Sequence, residues 1–414
     1  MSDRFGARGS GGGNAFSRRR LLGAAGGVGL VAAGTAGFVA LNGDDDGSRE
    51  RGTARVTAPP PEGVLGANFN GDPSGMDFSQ LREVSATWLR GFFAMPDAGK
   101  GPPADRPVIR TLLTASGRGY GTVLSLKFPF TRRPLPAAGS AALTAELERL
   151  DKVLPIVLDR VDILAIGNEP FIETRMEDRD ARLNVFYETV ARHVIAYRAE
   201  HFGNRCRTRL YMGALNRLDL PRGRTPAVER WMGFVRDTPS IEGVDIHPHL
   251  PSPGAGQRYL DYVLPRMRPE QRFLATEFSL VLLWKKHLSD LVPDAFAERY
   301  PGHRGMPVWM VVRNAIDQPF TQRKWDDFLA ACPWFQAGKD FLRDQVEGFR
   351  RTGRLAVATY GVAQDAAMVR DFGPESTPWL FNSLFCPYTV LPGTGGLPGR
   401  NRTWTDAFRA LQRT

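Results

Sequence analysis

Cysteine is scarce in this chain, with Cys206, Cys332 and Cys386 the only thiols in 414 residues. They lie too far apart for a zinc ribbon or a disulfide framework, so at most one disulfide is available, and none sits near a histidine at ligand spacing. Cysteine chemistry is thereby set aside. Concentrated positive charge is missing too. The formal charge of +10 arises from 54 Lys and Arg against 44 Asp and Glu, but apart from Arg18-Arg19-Arg20 and pairs such as Arg132-Arg133 the basic residues are scattered singly. A nucleic-acid groove needs a stripe, so no nucleic-acid partner is expected, and the charge serves solubility or attraction to an anionic wall or acidic polysaccharide. A phosphate-binding glycine turn is also lacking. After the first strand candidate the chain reads Gly66-Ala67-Asn68-Phe69-Asn70-Gly71, which does not match G-x-G-x-x-G and argues against a doubly wound dinucleotide fold. There is no repeat, appended binding module or tandem aromatic strip.

What is present begins with an address. Residues 1–16 are small and polar, Ser17-Arg18-Arg19-Arg20-Leu21-Leu22 follows, and a Gly/Ala-rich apolar run continues to about Leu41. That order matches a twin-arginine export signal, which implies passage through the twin-arginine translocation machinery and work outside the cytoplasm, in the periplasm, at the cell surface or beyond. A membrane anchor with a basic flank is the alternative, because no clean Ala-x-Ala site closes the run. Residues 1–42 are thus read as signal or anchor. Residues 43–62, with Asp44-Asp45-Asp46 and Pro59-Pro60-Pro61, are read as a linker.

From residue 63 onward, 42% hydrophobic content overall suffices for one large core. Short Val/Ile/Leu/aromatic runs alternate with amphipathic stretches, as in βα units around a parallel sheet. The strand candidates are Val64–Phe69, Thr87–Phe92, Thr122–Lys127, Val161–Ile166, Arg209–Ala214, Val244–His247 and Phe273–Glu277, with Leu355–Tyr360 or Pro378–Phe381 as the eighth. Ala141–Asp159 and Leu183–His201 read as helices, the second with Val185, Phe186, Val190 and Val194 on one apolar face. The spacing predicts a (β/α)8 barrel over residues 63–414. A helical insertion at about 285–350, rich in Trp and Phe, is expected between the seventh and eighth strands. It either shapes the substrate cleft or packs as a helical subdomain.

Two strand ends carry carboxylates. Ile163-Leu164-Ala165-Ile166-Gly167-Asn168-Glu169-Pro170 runs from apolar to polar, and Phe273-Leu274-Ala275-Thr276-Glu277-Phe278-Ser279 repeats the design three units later. Burying an ionised group is costly unless it is satisfied, and in a closed barrel the fourth and seventh strands face each other across the mouth. Two converging carboxyls suit glycoside hydrolysis. One protonates the leaving oxygen and the other attacks the anomeric carbon, with retention when they stand about 5 to 5.5 Å apart.

At these residues the chain resembles clan A of the glycoside hydrolases, the retaining barrels, with motifs like those of family 5. The resemblance implies that Glu169 is the acid/base, Asn168 holds the sugar 2-hydroxyl, Glu277 is the nucleophile and Arg90 bonds the nucleophile. Thr276-Glu277-Phe278-Ser279 is similar to the family's Thr-Glu-Phe-Gly. The chain departs from the family after the sixth strand. There Asp245-Ile246-His247-Pro248-His249 offers no Tyr, and His247 or His249 is expected to hold the nucleophile or a hydroxyl instead.

As an H-x-H pair the histidines resemble metal ligands, but no third ligand stands at suitable spacing along the chain, so neither metal nor cofactor is expected. Trp284 and Trp379 are candidates for a floor under the sugar, with core packing as the alternative for each. Asn68, Asn70 and Asn216 stand at strand ends as hydroxyl donors or simple turn residues, and Tyr360, closing an eighth-strand candidate, joins the supporting set. The expected partner is a carbohydrate and the expected activity retaining hydrolysis. A transglycosylase using the same carboxylates and a non-catalytic carbohydrate-binding barrel are the rivals.

Overall fold

Strands buried on both faces can be written with few polar residues, and those of this chain are. In a computed structural model that describes residues 60–412 except 74 and 75, eight such runs form β1 (Val64–Phe69), β2 (Trp88–Ala94), β3 (Gly121–Lys127), β4 (Ile163–Ile166), β5 (Arg209–Leu215), β6 (Ile241–Ile246), β7 (Arg272–Ala275) and β8 (Leu355–Ala363). They pair in chain order, all parallel, and β8 returns to β1 with Val64 opposite Val357, closing the barrel. The export segment and nearly all of the linker lie outside the described residues. Among the described residues no helix is long and apolar enough to cross a membrane.

A helix follows each strand: α1 (Phe78–Glu83), α2 (Pro107–Gly117), α3 (Ala141–Val157), α4 (Ala181–Phe202), α5 (Pro226–Asp237), α6 (Gln257–Val263), α7 (Phe341–Arg351) and α8 (Arg402–Leu411). Their starts are written locally. The side chains of Ser140, Asp180 and Thr225 accept from the backbone N–H of Leu143, Arg182 and Val228, and Asp77 with Gln80 forms a reciprocal capping box. Each such cap stabilises its helix by about 1 kcal/mol.

Two apolar layers result. The main one lies between strands and helices, and a smaller one of Val123, Ile163, Tyr211, Leu274, Ala356 and Val357 fills the barrel interior. Trp88 plugs its lower end, which explains glycine at 121, since a Cβ there would stand 2.1 Å from the indole. Filling the interior from below leaves only the C-terminal strand ends open to solvent and chemistry.

Two points that the sequence left open are resolved, and one expectation shifts. The eighth strand is Leu355–Ala363, whereas Pro378–Phe381 falls in a 3-10 turn at Trp379–Asn382. β4 and β7 stop before Glu169 and Glu277, so both glutamates sit on the first residues of the following loops. The three thiols are free.

Between β7 and α7 the chain forms short helices, among them Val308–Asp317 and Gln322–Ala331. Their aromatics turn inward. Trp325, Trp334 and Phe335 pack on Phe381, and Phe335 also meets Trp404 of α8, while the Trp325 indole N–H donates to Asn401 Oδ1 at 2.7 Å. This packing role was one of the two readings of the aromatic-rich insertion.

Candidate active site

The mouth is organised around a buried cation. Arg90, in the middle of β2, has no solvent exposure, and such a charge is tolerated only when its forked donors are all met. They are met by polar strand ends. Nη1 donates to Glu277 Oε1 at 2.6 Å and to Asn68 Oδ1 at 3.1 Å, Nε and Nη2 donate to Ser125 Oγ at 3.3 and 3.2 Å, and Nη2 also donates to Asn168 Oδ1. Arg90 therefore ties β1, β2, β3, the β4 loop and the β7 loop into one frame.

The β4 loop needs room to turn. Gly167 has φ of +101°, and Gly213 on β5 lies so near that a Cβ there would stand 2.2 Å from the Gly167 carbonyl. This turn presents Asn168 and Glu169 in different directions. Asn168 faces inward, donating through Nδ2 to Glu173 Oε1 at 2.8 Å, and Lys127 pairs with the same oxygen at 2.9 Å. Burial pushes the Glu173 carboxyl up in pKa, against the pull of Lys127 and Asn168. Glu169 faces the mouth, its side chain 19% exposed, and its Oε1 accepts from Asn216 Nδ2 at 2.7 Å.

The two histidines complete the site from β6. His247 is fully buried. Its Nε2 lies 2.9 Å from Thr276 Oγ1 and 3.6 Å from Asp245 Oδ2, and its Nδ1 lies 3.1 Å from Glu169 Oε1. Thr276 spends its one hydroxyl proton on Asp245, so His247 Nε2 must donate to the Thr276 oxygen. One proton then remains to be shared between His247 Nδ1 and Glu169.

The electrostatics place that proton. Burial works against charging His247, but Glu277, Asp245 and Glu169 together push it up to about 10. Burial likewise works against ionising Glu169, yet its contacts with His247 and His249 hold the carboxyl well below its ordinary value. Both shifts favour the proton on His247. His249 sits between the two carboxylates, Nε2 being 3.7 Å from Glu169 Oε1 and 3.9 Å from Glu277 Oε2, while Nδ1 meets Ser279 Oγ at 2.8 Å. Trp379 packs edge-on to its ring at 4.9 Å.

Glu169, His247, His249 and Glu277 each bring one polar atom into a group whose members all lie within 4.8 Å of one another. The third and fourth potential ligands, absent from the local spacing around His247-Pro248-His249, are thus supplied by the fold. Two other expectations need correction. Trp284 is fully buried against Phe335, Phe381 and Trp404, and Tyr360 is fully buried against Phe278 and Trp404, so neither reaches a sugar. Tyr360 points to the outer core because successive residues of β8 alternate faces, and Trp284 does so from a short helix, Val281–Lys285, that packs over the barrel. Asn68 is buried too, donating to Asn70 Oδ1 at 2.8 Å and accepting from Arg90. Sequence reasoning missed Ser125, Lys127 and Glu173, whose signal was polarity at the β3 end and just after Asn168-Glu169.

No protein-family model matches the chain. No curated protein matches it either. Solved structures are similar in part. A glucosidase from Croceicoccus marinus is 12% identical with a TM-score of 0.49, over 86% of this chain and 69% of that one. A calcium-binding mutant of β-glucuronidase 2 from Bacteroides uniformis is 11% identical with a TM-score of 0.43, over 86% of this chain but only 35% of that longer one. The GH1 β-glucosidase from Exiguobacterium antarcticum B7 is 11% identical with a TM-score of 0.42, over 81% and 85%. At these values the function must be argued from the chain's own geometry.

Proposed function

We propose that this protein is a retaining glycoside hydrolase in which Glu277 is the nucleophile and Glu169 the acid/base. The observation that carries the reading is the approach of the two carboxyls to within 4.8 Å in unlike surroundings, one held by Arg90 and the other by His247 and Asn216. Retaining catalysis needs about 5 to 5.5 Å, whereas inversion needs room for a water at about 6.5 to 9.5 Å.

In the first step Glu277 Oε2, the oxygen not engaged by Arg90, attacks the anomeric carbon as the glycosidic C–O bond breaks. The leaving oxygen takes a proton that His247 Nδ1 delivers through Glu169 across the 3.1 Å contact, which leaves Glu169 ionised and ready to act as base. In the second step water attacks the glycosyl ester, gives its proton to Glu169 and releases the Glu277 carboxylate. Trp379, next to His249, is the aromatic available to the sugar. The twin-arginine segment supports a place of work outside the cytoplasm, and hence a wall, capsule or environmental glycan as substrate.

A screen of aryl glycosides and soluble polysaccharides with the wild type, Glu169→Ala and Glu277→Ala tests this reading. The glycoside that the wild type cleaves should be untouched by Glu277→Ala, and full activity in that variant would refute the assignment.

A further inference from the structure

The mouth also has the construction of a metal site. Among the described residues, Glu169, His247, His249 and Glu277 form the one group of three or more His, Cys, Asp or Glu side chains able to converge on an ion, all four ligand atoms lying within 4.8 Å of one another. Zinc bonds to imidazole nitrogen and carboxylate oxygen at about 2.0 to 2.2 Å, which puts tetrahedral ligand atoms about 3.4 Å apart. The separations around the mouth bracket that figure: 3.1 Å for His247 Nδ1 to Glu169, 3.7 Å for His249 Nε2 to Glu169 and 3.9 Å for His249 Nε2 to Glu277. Small side-chain rotations would close the set.

Two further features are those of a metal centre. Histidines that hold metals are oriented by a hydrogen bond on the far ring nitrogen. Both rings have one: His247 Nε2 meets Thr276 Oγ1, with Asp245 behind it, and His249 Nδ1 meets Ser279 Oγ at 2.8 Å. The charge balance also favours a dication, since Glu169, Glu277 and Asp245 surround the imidazoles and, among the described residues, Arg90 is the one Lys or Arg paired with these carboxylates. Arg90 engages only Oε1 of Glu277 and leaves Oε2 for the ion.

We propose that, when no sugar is bound, these four residues capture one zinc-class divalent ion, and that the captured ion is a reversible inhibitor. The inhibitory role rests on the hydrolase reading, because an ion on Glu277 Oε2 and Glu169 removes both the nucleophile and the acid. The capture itself does not.

The test is equilibrium dialysis of the chelator-stripped full chain against zinc chloride in a non-coordinating buffer, with bound zinc counted by atomic absorption. One ion per chain is expected, lost in His249→Gln and in Glu277→Gln. Ser279→Ala removes the orienting bond, along with a 3.3 Å bond from the Val281 N–H, while keeping all four ligands, and should bind about 10- to 100-fold more weakly. Circular dichroism checks that each variant is folded. Absence of stoichiometric uptake by the wild type, or undiminished uptake by the folded His249→Gln and Glu277→Gln variants, would overturn the proposal. Because uptake is read without substrate, an inactive protein that binds zinc overturns only the hydrolase reading, and an active one that binds none overturns only this inference.

Discussion

His247 is the residue that most distinguishes this site. An imidazole without solvent exposure would ordinarily stay neutral, but three carboxylates around it draw a proton in and leave Glu169 ionised. A general acid must be protonated when the leaving group departs, so the His247–Glu169 contact acts as a unit. His247→Gln should therefore lower kcat/KM by about 10²- to 10⁴-fold for glycosides with alkyl or sugar leaving groups. Dinitrophenyl glycosides, which leave without a proton, should lose less than about tenfold. Equal losses on both substrates would mean that His247 only shapes the site. At this scale the sequence was partly legible. Asn168, Glu169 and Arg90 do meet at the mouth, although Asn168 and Glu169 lie past the end of β4 and Arg90 lies within β2. Tyr360 misled, because its place on β8 does not say which face its side chain takes, and Trp284 follows the core-packing alternative.

Elements decide how finely those residues are held. The β4 loop turns through Gly167 at positive φ, and Gly213 on the neighbouring strand leaves its carbonyl space. Gly213→Ala puts a methyl 2.2 Å from that carbonyl, so either the loop or β5 must move. Overpacking of this kind costs about 1 to 3 kcal/mol, and here the displaced atoms belong to the residue before Asn168. Denaturant unfolding should show that loss together with a fall in kcat. Gly233→Ala is the control. It lies within α5, where nothing stands within 4 Å of the added carbon, and it should raise stability by about 0.5 to 1 kcal/mol. A Gly213→Ala protein as stable and active as the wild type would show that the close approach is not needed.

Strands were the most legible elements, since runs buried on both faces stand out from amphipathic helices. The eighth was ambiguous because Pro378–Phe381 is as apolar as Leu355–Tyr360. Pairing with β1 and β7, which no local pattern reports, decides between them. The insertion was legible as helical. The partners of its aromatics, Phe381 and Trp404, come later in the chain and could not be inferred from it.

At the scale of the whole molecule, closure of the barrel converts sequence distance into contact. Arg90 reaches Glu277 across 187 positions and His247 reaches Glu169 across 78. The same closure assembles four potential metal ligands that local spacing around His247 and His249 did not reveal. The chain is also proposed to leave the cytoplasm folded, by the route its twin arginines address. Replacing Arg18, Arg19 and Arg20 with Lys should retain the protein in the cytoplasm, as followed by fractionation, and unimpaired export would remove that part of the account.

The central claim is that Glu277 attacks the sugar. It is tested most directly by incubating the protein with a 2-deoxy-2-fluoro analogue of whichever glycoside it cleaves and mapping the adduct by peptide mass spectrometry. The account predicts one sugar ester, on Glu277. An ester on any other residue would contradict it.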